Sequence, residues 1–164
     1  MNHRSLFNSL LLAAAFVVSN PATLRAAPPP NAEGSSISHG PMAVLNADVT
    51  GLTVYGPTPV GVRVDVAFKG QLHGRLQGTM EGIDYSTIRA DGVTELHVLA
   101  KITTPDQALI SVEIKGIMIE GKVRDTEVKF LTAAPQYAWL MDKIIIGKGF
   151  ATTEKISVKY FLLD

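Results

Sequence analysis

The residues able to do chemistry fall in four short stretches. Arg63 stands in "GVRVDVAF", and Asp84 and Tyr85 close "KGQLHGRLQGTMEGIDY". Glu95 and His97 belong to "TELHVLAKIT", and Tyr137 and Trp139 to "APQYAWL". Glu95 and His97 are two apart in a predicted strand, so they share a face. If that face lines an apolar lumen, the surroundings raise a carboxylate pKa or lower that of histidine. Such a pair can perform general acid–base chemistry, with Asp84 as a further acid or base. Tyr137 and Trp139 also share a face and would floor a pocket for a flat or apolar ligand, with Tyr85 beside them. Arg63 would hold a ligand carboxylate, or pair with Asp84 or Glu95. The alternation leaves a second arrangement open, with Glu95 and His97 solvated on the exterior and their apolar alternates inside. Asp84 and Asp91 also stand near turns, where aspartate bonds neighbouring amides.

Other chemistries find little support. The chain has no cysteine, so thiol catalysis and disulfides are excluded. His39, His73 and His97 have no ligand-like spacing, so no metal site is expected. "GKGFATTEK" lacks the phosphate-loop pattern, and no serine sits in a Gly-x-Ser-x-Gly elbow. No cofactor is implied.

The N-terminus reads as an export signal. Arg4 precedes an apolar run from Leu10 to Val18, then small residues ending at Ala26 and Ala27. Residues 1–26 are therefore expected to be a signal peptide, and the protein to be periplasmic or secreted. Cleavage after Ala26 leaves 138 residues with thirteen basic and fifteen acidic side chains, a net charge of about −2. No basic run is present, so nucleic acid is not an expected partner. No later apolar stretch is long enough to span a membrane as a helix. Residues 27–41, "APPPNAEGSSISHGP", hold four prolines and read as a disordered leader.

Residues 42–164 carry strand signals and no sustained helical period. "MAVLNADV" and "LTVYG" read as two strands. Val62, Val64, Val66 and Phe68 alternate with polar or small residues, and Leu96, Val98, Ala100 and Ile102 alternate with Glu95, His97, Leu99 and Lys101. Seven or eight such runs predict an all-β, antiparallel closed barrel with an interior pocket, since closure hides every strand edge. Gly70, Gly74, Gly78 and Gly82 recur every fourth residue, on one strand face with Leu72, Leu76 and Met80. Polar residues between them rule out a membrane-helix contact motif. The stripe fits sharp strand coiling, or close approach by a backbone or a ligand.

"GVRVDVAFKGQLHGRLQGTMEGIDY", "RADGVTELHV" and "FLTAAPQYAWLMDKIIIGKG" together resemble a family of small β-barrel proteins known as domain-of-unknown-function family 3237. Gly61, Arg63, the glycines and Asp84 match its first block, with Tyr85 where tryptophan is usual. Asp91, Gly92 and Glu95 match its second, and the Thr-Ala-Ala-Pro-x-Tyr-x-Trp-Leu run its last. His97 and Leu99 depart from the family's Glu-x-Asp-x-Arg strand face, and Asp106 with Gln107 replaces a second Asp-Gly turn. The resemblance implies a ligand-sized barrel, with occasional members acting on polyketide-like natural products. The resulting expectation is an exported barrel that binds a small apolar or aromatic molecule in its lumen. Two alternatives stand beside it. One is an acid–base enzyme on the same scaffold, acting as cyclase, isomerase or ester hydrolase. The other is an interaction module that forms a homo-oligomer.

Overall fold

The computed structural model describes residues 40–163; the expected signal peptide and most of the expected leader lie outside them. Eight strands follow in order: β1 (Ala43–Thr58), β2 (Gly61–Gly74), β3 (Gly78–Ile88), β4 (Thr94–Thr103), β5 (Leu109–Ile119), β6 (Lys122–Leu131), β7 (Ile144–Ala151) and β8 (Lys155–Leu163). Each pairs antiparallel with the next, and β8 returns to β1 to close the barrel. A 3₁₀ helix, Pro135–Leu140, interrupts the connection from β6 to β7.

The period of two explains which residues are inside. On β4, Leu96, Val98 and Ile102 are buried, while Glu95, Leu99 and Lys101 are exposed. On β5, Ile110, Val112 and Ile114 are buried. Leu45, Leu72, Leu76, Met80, Ile110 and Leu140 lose nearly all contact with water. They fill the lower part of the barrel, the end that carries the β2–β3 and β4–β5 turns.

Two predicted strands are in fact one. β1 runs from Ala43 to Thr58 with register shifts at Val49/Gly51 and Val54/Gly56. Each bulge inserts an unpaired residue, Thr50 and then Tyr55, and resets which side faces in. That reset is why the pattern reads as a break in the sequence.

The glycine stripe is folded across the β2–β3 hairpin. Gly70 lies opposite Met80, Gly82 opposite Phe68, and Gly78 opposite Leu72. Each leaves room for a large neighbour, and each lies hard against the next strand. A Cβ on Gly70 would sit 2.3 Å from the Ala47 Cβ, and one on Gly82 2.4 Å from the Leu99 carbonyl oxygen. Gly74 and Gly78, which flank the hairpin turn, have φ of 130° and 149°, values that side chains rarely adopt. Gly82→Ala is therefore expected to cost about 2 kcal/mol or more in urea unfolding. Gly51→Ala, whose new Cβ would meet the Ala67 Cβ at an ordinary 3.5 Å, should stay within about 0.5 kcal/mol.

One carboxylate ties down the lower cap. Asp106 accepts hydrogen bonds from Thr104 Oγ1 (2.5 Å), Gln136 Nε2 (2.9 Å) and the Tyr137 hydroxyl (2.9 Å). These bonds, that from Thr104 foremost, lower its pKa to about 2. The contribution is present above the ordinary aspartate value near 3.9 and is lost as pH falls through about 2. Gln107 takes the left-handed conformation, φ 65°, in the β4–β5 turn. Trp139, the single tryptophan, stacks under the Arg75 guanidinium at 3.9 Å and reports on this cap. Its emission should shift to the red in Asp106→Ala at pH 7, and in the wild type between about pH 4 and pH 2.

Candidate functional site

The candidate residues separate by strand parity and by end of the barrel. Asp84 is on the inward face of β3, between Val66 of β2 and Val98 of β4. It interrupts the sheet. The β3–β4 ladder runs to Asp84–Val98 and resumes at Thr87–Glu95, so Tyr85–His97 and Ser86–Leu96 are not paired. In the gap, the Asp84 Oδ1 accepts the His97 backbone N–H at 3.0 Å, the role a strand carbonyl would have had. Burial pushes the Asp84 carboxyl above its ordinary range, opposed by hydrogen bonds from Ser86 and from that amide. Desolvation is the largest cause; the charges of His97 and Arg63, on the far face of the sheet, oppose it only in part.

An inward belt passes through Asp84. Register aligns Leu52, Val66, Asp84, Val98, Ile114, Val128 and Ile145 across β1 to β7. Towards the upper end lie Val54, Val64 and the buried Ser86, then Val62, Ile88 and the buried Thr94. Opposite residues share a face, so Leu52 and Val54 point inward with Val66 and Val64. Yet they are 44% and 52% exposed. The cause is the closure: β8 pairs with β1 only from Ala43 to Asp48. Beyond that point β1 projects with β2 on one side alone, and the inner wall opens to solvent beside Asp84. Leu52 and Val54 were not anticipated as site residues; the bulges disguise their facing.

The other candidates stand elsewhere. Arg63 and Tyr85 face outward. The Arg63 guanidinium holds Asp65 through Nε (3.1 Å) and Nη2 (3.0 Å) and lies 5.3 Å over the Tyr85 ring. The Tyr55 hydroxyl donates to the same carboxylate at 2.9 Å. The partner of Arg63 is thus Asp65, one face away from Asp84, because odd positions of β2 lie outside. Glu95 and His97 share a face as expected, and that face is the exterior. His97 Nε2 lies 3.2 Å from Glu113, and Arg89 reaches Glu95 at 3.4 Å. The apolar alternates Leu96 and Val98 take the interior, where burial rewards them. Tyr137 and Trp139 belong to the lower cap, at the opposite end from the upper mouth. Asp91 accepts the Val93 amide at 3.1 Å, as its turn position suggests.

Two concavities mark the outer wall. One, of about 690 Å³, is floored by Ala67, Ile83 and Leu99 and rimmed by Lys69, Glu81 and Lys101. The other, of about 310 Å³, lies near the lower end between Gln71, Thr79 and Thr104. Among the described residues no helix is long and apolar enough to cross a membrane, and no three His, Asp or Glu side chains are grouped to hold a metal.

The different settings of these acids give different expected variants. In Asp84→Asn the amide oxygen can still accept the His97 N–H, while the buried charge is gone. The wild type loses stability as pH rises from the ordinary aspartate value through the raised one of Asp84. Asp84→Asn should therefore melt higher than wild type at pH 7, with the gain fading on acidification. Glu95→Gln and His97→Gln remove exposed contacts and should change stability by no more than about 0.5 kcal/mol. Thermal melts at several pH values check all three.

Comparison with known proteins agrees with the architecture. No curated protein matches the chain. Among solved structures, a conserved protein of unknown function from Rhodopseudomonas palustris is 23% identical, with a TM-score of 0.67 over 76% of this chain and 95% of that one. A β-barrel-like protein from Acinetobacter baumannii is 20% identical, with a TM-score of 0.69 over 76% and 94%. A structure described as an enzyme from Penicillium herquei is 22% identical, with a TM-score of 0.60 over 77% and 97%. These likenesses show the fold alone. Residues 40–163 match the family described as protein of unknown function DUF3237, and the chain belongs to that family.

Proposed function

We propose that this protein is an exported barrel that binds a small, mostly apolar molecule at its open inner wall, with Asp84 as the polar anchor. One observation carries the reading. Leu52 and Val54 face inward and stay half exposed, in line with a carboxylate surrounded by valines. Burying those side chains under a ligand would contribute about 25 cal/mol per Å² of apolar area, and Asp84 would orient its polar group. Export rests on the N-terminal sequence.

A second reading places turnover at the same carboxylate. Burial raises the pKa of Asp84 above the ordinary aspartate value, the direction that a general acid requires. The Penicillium herquei barrel, described as an enzyme, supports a catalytic use of this scaffold.

The test incubates the purified protein with extract of its source organism and follows bound and free compounds by mass spectrometry. A compound retained by wild type should be retained at least ~10-fold less by Leu52→Glu and Val54→Glu, which put a charge in its apolar seat. Retention unchanged in both variants would refute a site at the inner wall. A compound consumed by wild type, but bound and not consumed by Asp84→Asn, would establish the catalytic reading over simple binding.

A further inference from the structure

The charge of the ligand follows from what faces it. Strand alternation sets the upper-half cations of β6 to β8, Lys122, Arg124, Lys148 and Lys155, on outward positions, beside the inward Val123, Gly147, Gly149 and Ile156. Arg63 stands on an outward position of β2, and two of its nitrogens are committed to Asp65. The nearest arginine at the upper turns, Arg89, is engaged by Asp91 at 2.5 Å and by Glu95. The inner wall of the mouth therefore offers hydrocarbon from Leu52, Val54, Val62, Val66 and Val98, hydroxyls from Ser86 and Thr94, and one carboxyl group, Asp84. It offers no cation on that face; Arg63 and His97 act on Asp84 from the outer side of the sheet.

We infer that the ligand of this wall is an apolar molecule whose polar end is neutral or cationic, a hydroxyl or an amine, and that carboxylates are excluded. The inference rests on the binding reading above and narrows it to a ligand class. A carboxylate entering the wall would give up its water with no cation to receive it, at a cost of several kcal/mol. It would also meet a second carboxyl group, and two such groups in one site cannot both ionise without strong repulsion. A hydroxyl can donate to Asp84 or accept from it, and an ammonium can pair with its charged form. Arg63, which the sequence offered as an anion holder, cannot serve without abandoning Asp65 and crossing the sheet.

Three probes with one body and different heads test this: 2-naphthol, 2-(aminomethyl)naphthalene and 2-naphthoate. Each is titrated at neutral pH into the purified protein with ¹³C-labelled valine methyls, following Val62, Val66 and Val98. The expected result is that the naphthol and the amine shift these methyls, with 2-naphthoate at least ~10-fold weaker. In D84N the disadvantage of naphthoate should narrow by at least ~3-fold, since the repulsion is gone while the cost of desolvating a carboxylate without a cation remains. Naphthoate binding as well as the other two would overturn the charge assignment and leave the inner-wall site standing. The same gap persisting in D84N would overturn the role given to Asp84. No probe moving the valine methyls would overturn the inner-wall site and this inference with it.

Discussion

Everything distinctive in this molecule depends on how little of β1 takes part in closing the barrel. Six residues, Ala43 to Asp48, pair with β8. They are enough to complete the ring, and Lys155 bonds Asp48 at the point where pairing stops. The remaining length of β1 is held by β2 alone, and the bulges at Thr50 and Tyr55 bend it and turn its edge. A strand that closed along its whole length would have left Leu52 and Val54 in the core. Partial closure leaves them pointing inward and wet.

That opening also makes Asp84 tolerable. A carboxyl group in a belt of valine and isoleucine carries a desolvation penalty, and its pKa rises in response. Two features limit the damage. Ser86 and the His97 amide supply hydrogen bonds, and the interrupted ladder frees that amide for the purpose. The sheet gives up two backbone pairs at this point. A backbone that yields ladder pairs to accommodate a destabilised acid resembles a functional site more than a packing compromise, because apolar residues would close both defects.

The sequence made the fold legible because alternation is a local property. Val62 to Phe68, Leu96 to Ile102 and Ile110 to Ile114 each show their period within one strand, and closure follows from the number of such strands. The site was less legible because alternation fixes which residues share a face, while the identity of the inner face depends on the whole barrel. Glu95 and His97 do share a face; the burial of Leu96, Val98 and Ile102 decides that it is the outer one. The bulges in β1 break the period where it would have revealed Leu52 and Val54. Tyr137 and Trp139 sit in a 3₁₀ helix, where positions two apart are not constrained to one face. Asp106 gave no local sign, since its partners lie two, thirty and thirty-one residues away.

The two ends of the barrel are built on opposite principles, and this argues for where function resides. At the lower end an ionised aspartate is stabilised by three donors, an arginine stacks on the tryptophan, and Leu76 and Leu140 seal the interior. The inward apolar groups there are covered, while Leu109, Leu131 and Ile144, which alternate with the buried Ile110, Phe130 and Ile145, stand exposed on outward positions. At the upper end the acid is destabilised, apolar side chains are left in water, and a strand projects past its neighbour. A protein selected only for stability would have finished both ends alike. The cost concentrated around Asp84 and the β1 extension is what a preorganised binding wall requires: apolar area held ready beside one polar group.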